Sequence, residues 1–280
     1  TVSFMNNLSV LCLAVAGLSA CNGSNSKSSE TANASSRSNA AEKPNIVIIL
    51  TDDQGYGDMK CYGNSRLQTP NLDQLAAEGI RFTNFYAGAA ASTPSRAALL
   101  TGRYAERAGL QGVVDDLSVN GLESDEFTLA DYLKQNNYAT GIFGKWHLGC
   151  LPEHLPLRHG FNEFFGLPYS NDMWPFHPQP GHPYRALPLY DNERVVEYNP
   201  TVNHMTTRIT ERATAFIDKH KNEPFLLYVP YTQPHVPLGV SDKFKGKSGE
   251  GLYADVIMEI DWSVGEIMKT LKENGLDDHT

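Results

Sequence analysis

The 280-residue chain has only four cysteines, too few for a disulfide framework to hold a fold of this size. It has no apolar run approaching the ~20 residues that a membrane-spanning helix needs. The longest, Leu8 to Ala20, is broken by Ser9, Gly17 and Ser19. Basic residues are in deficit. The 23 Lys and Arg against 32 Asp and Glu give a formal charge of −9 and a pI near 5.4, which excludes the broad basic face that nucleic acid requires. Anions can still be bound, but only by a local cluster of cations or by a metal. What is present is ordinary globular composition, 41% hydrophobic and 20% charged, so a wholly disordered or collagen-like chain is excluded. At roughly 150 residues per domain, one large domain or two small ones fit.

The amino terminus reads as targeting sequence. Leu8–Val15 is an apolar core, and Leu18-Ser19-Ala20-Cys21 resembles the lipobox of bacterial lipoproteins, in which Cys21 becomes the lipidated mature N-terminus. The alternative reading of the run is a short core helix. Residues 1–21 are accordingly expected to be a lipoprotein-type signal peptide. Residues 22–43, almost all small and polar, are expected to be a disordered linker. That reading implies export to the periplasm or surface of a bacterium, with the membrane touched only through the lipid. Cys61 and Cys150 remain in the mature part, and the sequence leaves their pairing open.

From Pro44 onward, short β-branched runs alternate with amphipathic ones. Ile46–Leu50 reads as a strand covered on both faces in a parallel sheet. Thr69-Pro70 caps and opens a helix whose stripe is Leu72, Leu75 and Ala76, and Gly79 ends it. A helix over Phe127–Asn136, with Leu129, Tyr132 and Leu133 inward, leads to a strand at Ala139–Phe143. A third helix, marked by Met205, Ile209, Phe216 and Ile217, feeds the strand Phe225–Val229. A fourth runs from Tyr253 to Leu271, and Asn274-Gly275 closes it. The alternation predicts an α/β domain with a mainly parallel central sheet flanked by helices. Such a domain does not finish on a helix and a turn, so the chain reads as C-terminally truncated.

Open α/β sheets bind ligands beyond the carboxyl ends of their strands, and reactive residues collect there. Asp52 and Asp53 follow Leu50; Lys145, Trp146 and His147 follow Phe143; His235 follows Val229. Paired carboxylates suit a hard cation such as Ca²⁺ or Mg²⁺. Lys145 offers a fixed positive charge, and His147 and His235 offer groups near physiological pKa. In Ser92-Thr93-Pro94-Ser95-Arg96, Pro94 favours a helix's first turn. Ser92 is thus placed just before a helix N-terminus, with Arg96 one turn on and on the same face.

The segment Ser92–Arg103 resembles the signature of the formylglycine-dependent type I sulfatases, Cys/Ser-x-Pro-Ser-Arg-x-x-x-x-Thr-Gly-Arg. Pro44–Asp58 resembles that family's opening strand and metal loop, Thr69–Asp73 its first helix, and Gly144–Gly149 its second signature. The resemblance covers residues 44–280 and is nearest the arylsulfatase A and galactosamine-6-sulfatase branch, in its bacterial serine-type form. It implies an alkaline-phosphatase-like sulfatase fold and a formylglycine (3-oxoalanine) made from Ser92, whose hydrated aldehyde attacks sulfur and then expels sulfate. It also implies one Ca²⁺ held by Asp52, Asp53 and the modified Ser92. Arg96 would stabilise the aldehyde hydrate and the metal-bound oxygens, and Lys145 would contact the sulfate. His147 would bond the formylglycine hydroxyl, and His235 would protonate the leaving alcohol.

A serine at 92 implies an anaerobic radical-SAM sulfatase-maturating enzyme as partner; a Cys→Ser change leaving a dead site is the other reading of the same residue. The family's remaining metal ligands would lie past Thr280, so this chain by itself is expected to be inactive. Asn171, Asp172 and His177, in a polar and aromatic stretch after the Lys-Trp-His strand, are candidate contacts to a sulfated carbohydrate. The rival readings are a phosphatase or phosphonate hydrolase of the same superfamily and an inactive sulfoglycan-binding protein.

Overall fold

The computed structural model describes residues 43–178 and 184–280. The signal-type run, Cys21 and nearly all of the linker stretch lie outside the described residues.

Among the described residues six strands form one sheet in the order β1-β6-β2-β3-β4-β5. β1 (Ile46–Leu50), β6 (Phe225–Pro230), β2 (Ala139–Lys145) and β3 (Glu163–Leu167) run parallel. β4 (Pro188–Asp191) and β5 (Arg194–Tyr198) add an antiparallel hairpin. α4 (Met205–His220) and α5 (Leu252–Glu273) cover one face, and α2 (Ser92–Thr101) with α3 (Leu129–Gln135) covers the other.

Alternation along the strands builds two cores. Leu227 and Val229 of β6 join Phe143, Ile209, Phe216 and Ile260 on one side. Leu226 and Tyr228 join Leu100, Leu133, Ile142 and Phe164 on the other. A residue pair of opposite facing on one strand thus stitches three layers together, and each fully buried aliphatic side chain contributes roughly 1.5–3 kcal/mol.

The expected α/β architecture is present, with local differences. β1 is half-buried along its whole length rather than covered on both faces, because β6 is its sole strand neighbour among the described residues. α1 (Pro70–Glu78) buries no residue, and Leu75 is exposed. Its attachment is polar instead: the Leu72 N–H and the Asn71 side chain donate to Asp261 of α5 at 2.9 and 2.7 Å. Thr69 makes no capping bond to its helix; its hydroxyl accepts the Lys60 N–H and donates to Asp73. In α3 the buried residues are Ala130 and Leu133, while Tyr132 faces solvent. Cys61 and Cys150 are free thiols. Among the described residues no helix is long and apolar enough to cross a membrane.

Candidate active site

The carboxyl ends of β1, β6 and β2 are adjacent in the sheet, so the loops that follow them meet. Two backbone bonds tie the first two: Tyr231 N–H to the Leu50 carbonyl at 2.8 Å and Asp52 N–H to the Gln233 carbonyl at 3.1 Å. α2 brings Ser92 to the same edge as its first residue, with Ala91 at the N-cap position; the expectation had placed Ser92 just outside the helix. One turn on, Arg96 Nε donates to Ser92 Oγ at 2.8 Å. Its Nη1 donates to the Lys145 backbone carbonyl at 2.7 Å, and its Nη2 lies 3.4 Å from Asp52 Oδ1. The Lys145 ammonium donates to Asp52 Oδ2 at 2.6 Å and to Ser170 Oγ at 3.0 Å.

Arg96, Lys145 and Asp52 are all buried. Two buried cations share one buried carboxylate, with Asp53 on the wall of the same cleft and Asp172 within electrostatic reach of Lys145. Charged groups this deeply buried interact strongly, and the Arg96 and Lys145 donors are held ready beside Ser92 and Asp52. Burial pulls the Lys145 ammonium down to about 8, and the Asp52 carboxylate holds it from falling further.

His147 is also buried, with Nε2 at 2.9 Å from the Val114 carbonyl. Burial, then the charges of Lys145 and Arg96, keep its pKa well below the usual imidazole range, so the ring is neutral. His235 donates from Nδ1 to the Val236 carbonyl at 2.5 Å and turns Nε2 toward Asp53 Oδ2, 3.6 Å away. The Asp53 side chain is 71% exposed. Both Asp53 and His147 adopt left-handed backbone conformations, φ 61° and 60°, a strain that clusters at functional sites.

A cavity of about 270 Å³ opens between these loops, lined by Asp52, Asp53, Gln54, Ser92, Ser95 and Arg96 together with Leu50, Thr51 and alanines of the 87–91 stretch. A larger cleft of about 540 Å³ lies at the opposite ends of the strands, around Lys43, Asn45, Asn137 and Lys221, and holds none of the site residues. The carboxylates of Asp52 and Asp53 and the Ser92 hydroxyl are hard oxygen donors of the kind Ca²⁺ takes. Gln54 Nε2 is buried without a partner at the same place. Among the described residues no group of three or more His, Cys, Asp or Glu could hold a metal, so the acidic pair fits part of a calcium shell and not the whole of it.

The three candidate sugar contacts are placed unequally. Asn171 is buried; its Nδ2 makes long, 3.5 Å contacts to the carbonyls of Val236 and Pro237, and its Oδ1 is unpartnered. It therefore holds the His235 loop. Asp172 lies within electrostatic reach of Lys145 and 4.0 Å from His177, whose ring meets Tyr184 edge-on at 5.4 Å. Ser170, the Gln233 carbonyl and the Val114 carbonyl were not foreseen. Only Ser170, next to Asn171 in the flagged stretch, had any signal in the sequence.

The family profile of the sulfatases matches residues 44–280. Arylsulfatase A of Bos taurus is 42% identical over 254 residues, an alignment covering 85% of this chain and 50% of the bovine protein. A solved structure from Bacteroides thetaiotaomicron, described under the metabolism of multiple glycosaminoglycans, superposes with TM-score 0.74 at 33% identity and covers 86% of this chain and 61% of that one. Ps i-CgsB in complex with k-i-k-neocarrahexaose gives TM-score 0.74 at 33% identity, covering 85% and 57%. The chain spans about half the length of the curated relatives it matches. It belongs to the sulfatase family.

Proposed function

We propose that the protein to which this chain belongs hydrolyses sulfate monoesters, carried on a glycan, at the cavity between Ser92 and Asp52. The observation that carries the reading is the bond from Arg96 to Ser92 Oγ inside a buried cluster in which Arg96 and Lys145 share the Asp52 carboxylate. A sulfate ester is a tetrahedral monoanion, and that cluster offers it charge-assisted donors without the cost of assembling them.

We assign each residue one task. Arg96 fixes the residue-92 side chain with Nε and the β2 end with Nη1. Lys145, aimed by Ser170 and Asp52, presents its ammonium to the sulfate oxygens. His147, neutral and with Nε2 committed to Val114, has Nδ1 left to take a hydrogen bond from the hydroxyl at residue 92. His235, with Nε2 3.6 Å from the Asp53 carboxylate, donates a proton to the departing alcohol. Asp52, Asp53 and residue 92 would hold Ca²⁺. Calcium takes about six to eight oxygens, so further donors would come from water or from residues outside these 280. Formylglycine at residue 92 supplies a nucleophilic hydroxyl and a second hydroxyl that releases sulfate.

The remaining assignments follow from the same reading. The partners are an anaerobic sulfatase-maturating enzyme, required by serine at 92, and a sulfated carbohydrate. The sugar is met by Asp172 and His177, and by Asn171 through its hold on the His235 loop. The location is an exported one, lipid-anchored through Cys21. The likeness to structures described with glycosaminoglycans and neocarrahexaose favours the glycan substrate.

The test is sulfate release from a panel of sulfated monosaccharides by the full-length protein made with the maturase, with matched phosphate esters alongside. Release from sulfated sugars in preference to the phosphates is the expected result. Preference for phosphate or phosphonate esters would assign the site to the other chemistry, and binding of the sugars without turnover would make it a receptor.

A further inference from the structure

Thr93 follows Ser92 directly and is fully buried in the first turn of α2. Its hydroxyl oxygen accepts the Val114 N–H at 3.2 Å. Val114 is itself buried and lies outside any helix or strand, so no ladder satisfies its amide. Among the described residues Thr93 is the partner its N–H has. The carbonyl of the same residue receives His147 Nε2 at 2.9 Å. A carbonyl only accepts, so the proton sits on Nε2 and the lone pair on Nδ1, and Nδ1 is buried with no partner among the described residues.

The result is a relay of fixed direction: Thr93 hydroxyl, Val114 amide, Val114 carbonyl, His147 imidazole. A neutral imidazole has two tautomers, and the bond made by one nitrogen decides which role the other plays. We propose that Thr93 is a positioning residue which, through the backbone of Val114, holds His147 in the Nε2–H tautomer with Nδ1 as its hydrogen-bond acceptor. The proposal rests on the reading of His147 as the group that meets the residue-92 hydroxyl, and it assigns a purpose to the position within Ser-x-Pro-Ser-Arg that the motif leaves unspecified. Were Thr93 only a packing residue, an isosteric side chain without oxygen would serve equally. Removing that oxygen instead strands a buried N–H, which is costly enough for the 113–114 peptide plane to turn toward another acceptor. The Val114 carbonyl belongs to the next peptide plane, but the two planes share the Val114 Cα, so a turn of the first displaces the carbonyl that fixes His147.

The experiment is a long-range ¹H–¹⁵N correlation spectrum of the ¹⁵N-histidine-labelled full-length protein, with His147→Gln to assign the ring signals. It is run beside turnover normalised to the fraction of residue 92 that is oxidised. The wild type should show Nε2 protonated and Nδ1 bare. Thr93→Val should populate both tautomers and lower kcat roughly 10–100-fold at little changed KM, the size seen when a partner that orients a functional histidine is lost. Thr93→Ser, which keeps the oxygen, should restore both readouts. A wild-type Nδ1–H tautomer overturns the proposal without any variant. So does Thr93→Val with a single Nε2–H tautomer and undiminished kcat. Should Thr93→Val not fold, Thr93→Ala makes the same comparison. Absence of sulfate release by the wild type would end the functional reading, whereas the tautomer spectra still decide this one.

Discussion

The Lys145 ammonium and Asp52 Oδ2 are 2.6 Å apart with both side chains out of water. Truncating Lys145 leaves the Asp52 carboxylate buried with only the more distant Arg96, 3.4 Å away, to offset it, a loss of up to about 3–5 kcal/mol. Lys145→Met should therefore lower stability to urea by that amount in the presence of chelator. Asp52→Asn added to Lys145→Met removes both charges of the pair but leaves Arg96 without its carboxylate, so it should recover only part of the loss. A double variant as unstable as the sum of its singles would show that the pair is not coupled.

Arg96 serves three directions at once: Ser92 Oγ, the Lys145 carbonyl and, more distantly, Asp52. A lysine can reach one of these but lacks the planar fork. Arg96→Lys should cost about 10²–10³ in kcat, the range for losing one preorganised donor, with KM affected less. Steady-state kinetics on the best sulfated sugar measure this, and a variant within threefold of wild type would remove Arg96 from its assigned task.

How β2 delivers Lys145 depends on a glycine. Gly144 has φ +140°, and a Cβ there would lie 1.9 Å from the Pro230 carbonyl oxygen of β6. The strands must part for any side chain, just where the site is assembled. Gly144→Ala should lose more than about 3 kcal/mol and give little folded protein. A near-normal Tm for that variant would contradict the close approach.

Much of this arrangement was legible in the chain. β1, β2, β6, α4 and α5 carry clean apolar periods, and Asp52, Ser92, Arg96 and Lys145 sit in spaced motifs that the fold does bring together. The β4–β5 hairpin was not legible: Arg194–Tyr198 alternates exposed and half-buried residues at the sheet edge, so few apolar residues announce it. The stripe expected for α1 failed because Asp261, nearly two hundred residues away, holds that helix by its amides. The supports of the site escaped for a related reason. The Val114 and Gln233 carbonyls are backbone groups, and every sequence supplies those; only the fold selects which ones face the chemistry.

One prediction concerns pH and no catalytic group. The Glu259 carboxyl is buried on α5, with Oε2 accepting the Ser241 N–H at 3.2 Å and Oε1 unpartnered. Burial raises its pKa above the usual carboxylate range, although the bonds from Ser241 and the nearby His204 and Lys243 oppose this. The folded state thus holds the proton more tightly than the unfolded one. Stability from this group is intact in acid and falls as pH rises from the unfolded pKa through the folded one. Glu259→Gln should be neutral in mild acid and should stabilise above that window by about 1 kcal/mol, a Tm gain of ~2–4 °C for a chain of this size. Melting curves across pH check it, and a loss of Tm at alkaline pH would mean that the carboxylate is satisfied.

The proposed chemistry begins at the side chain of residue 92, and the mass of the peptide that carries it is the measurement that reads it. From full-length protein produced with the anaerobic maturase, the account predicts a peptide lighter by the two hydrogens that conversion of the Ser92 alcohol to an aldehyde removes. Full sulfate release from a preparation in which Ser92 is wholly unmodified would contradict it.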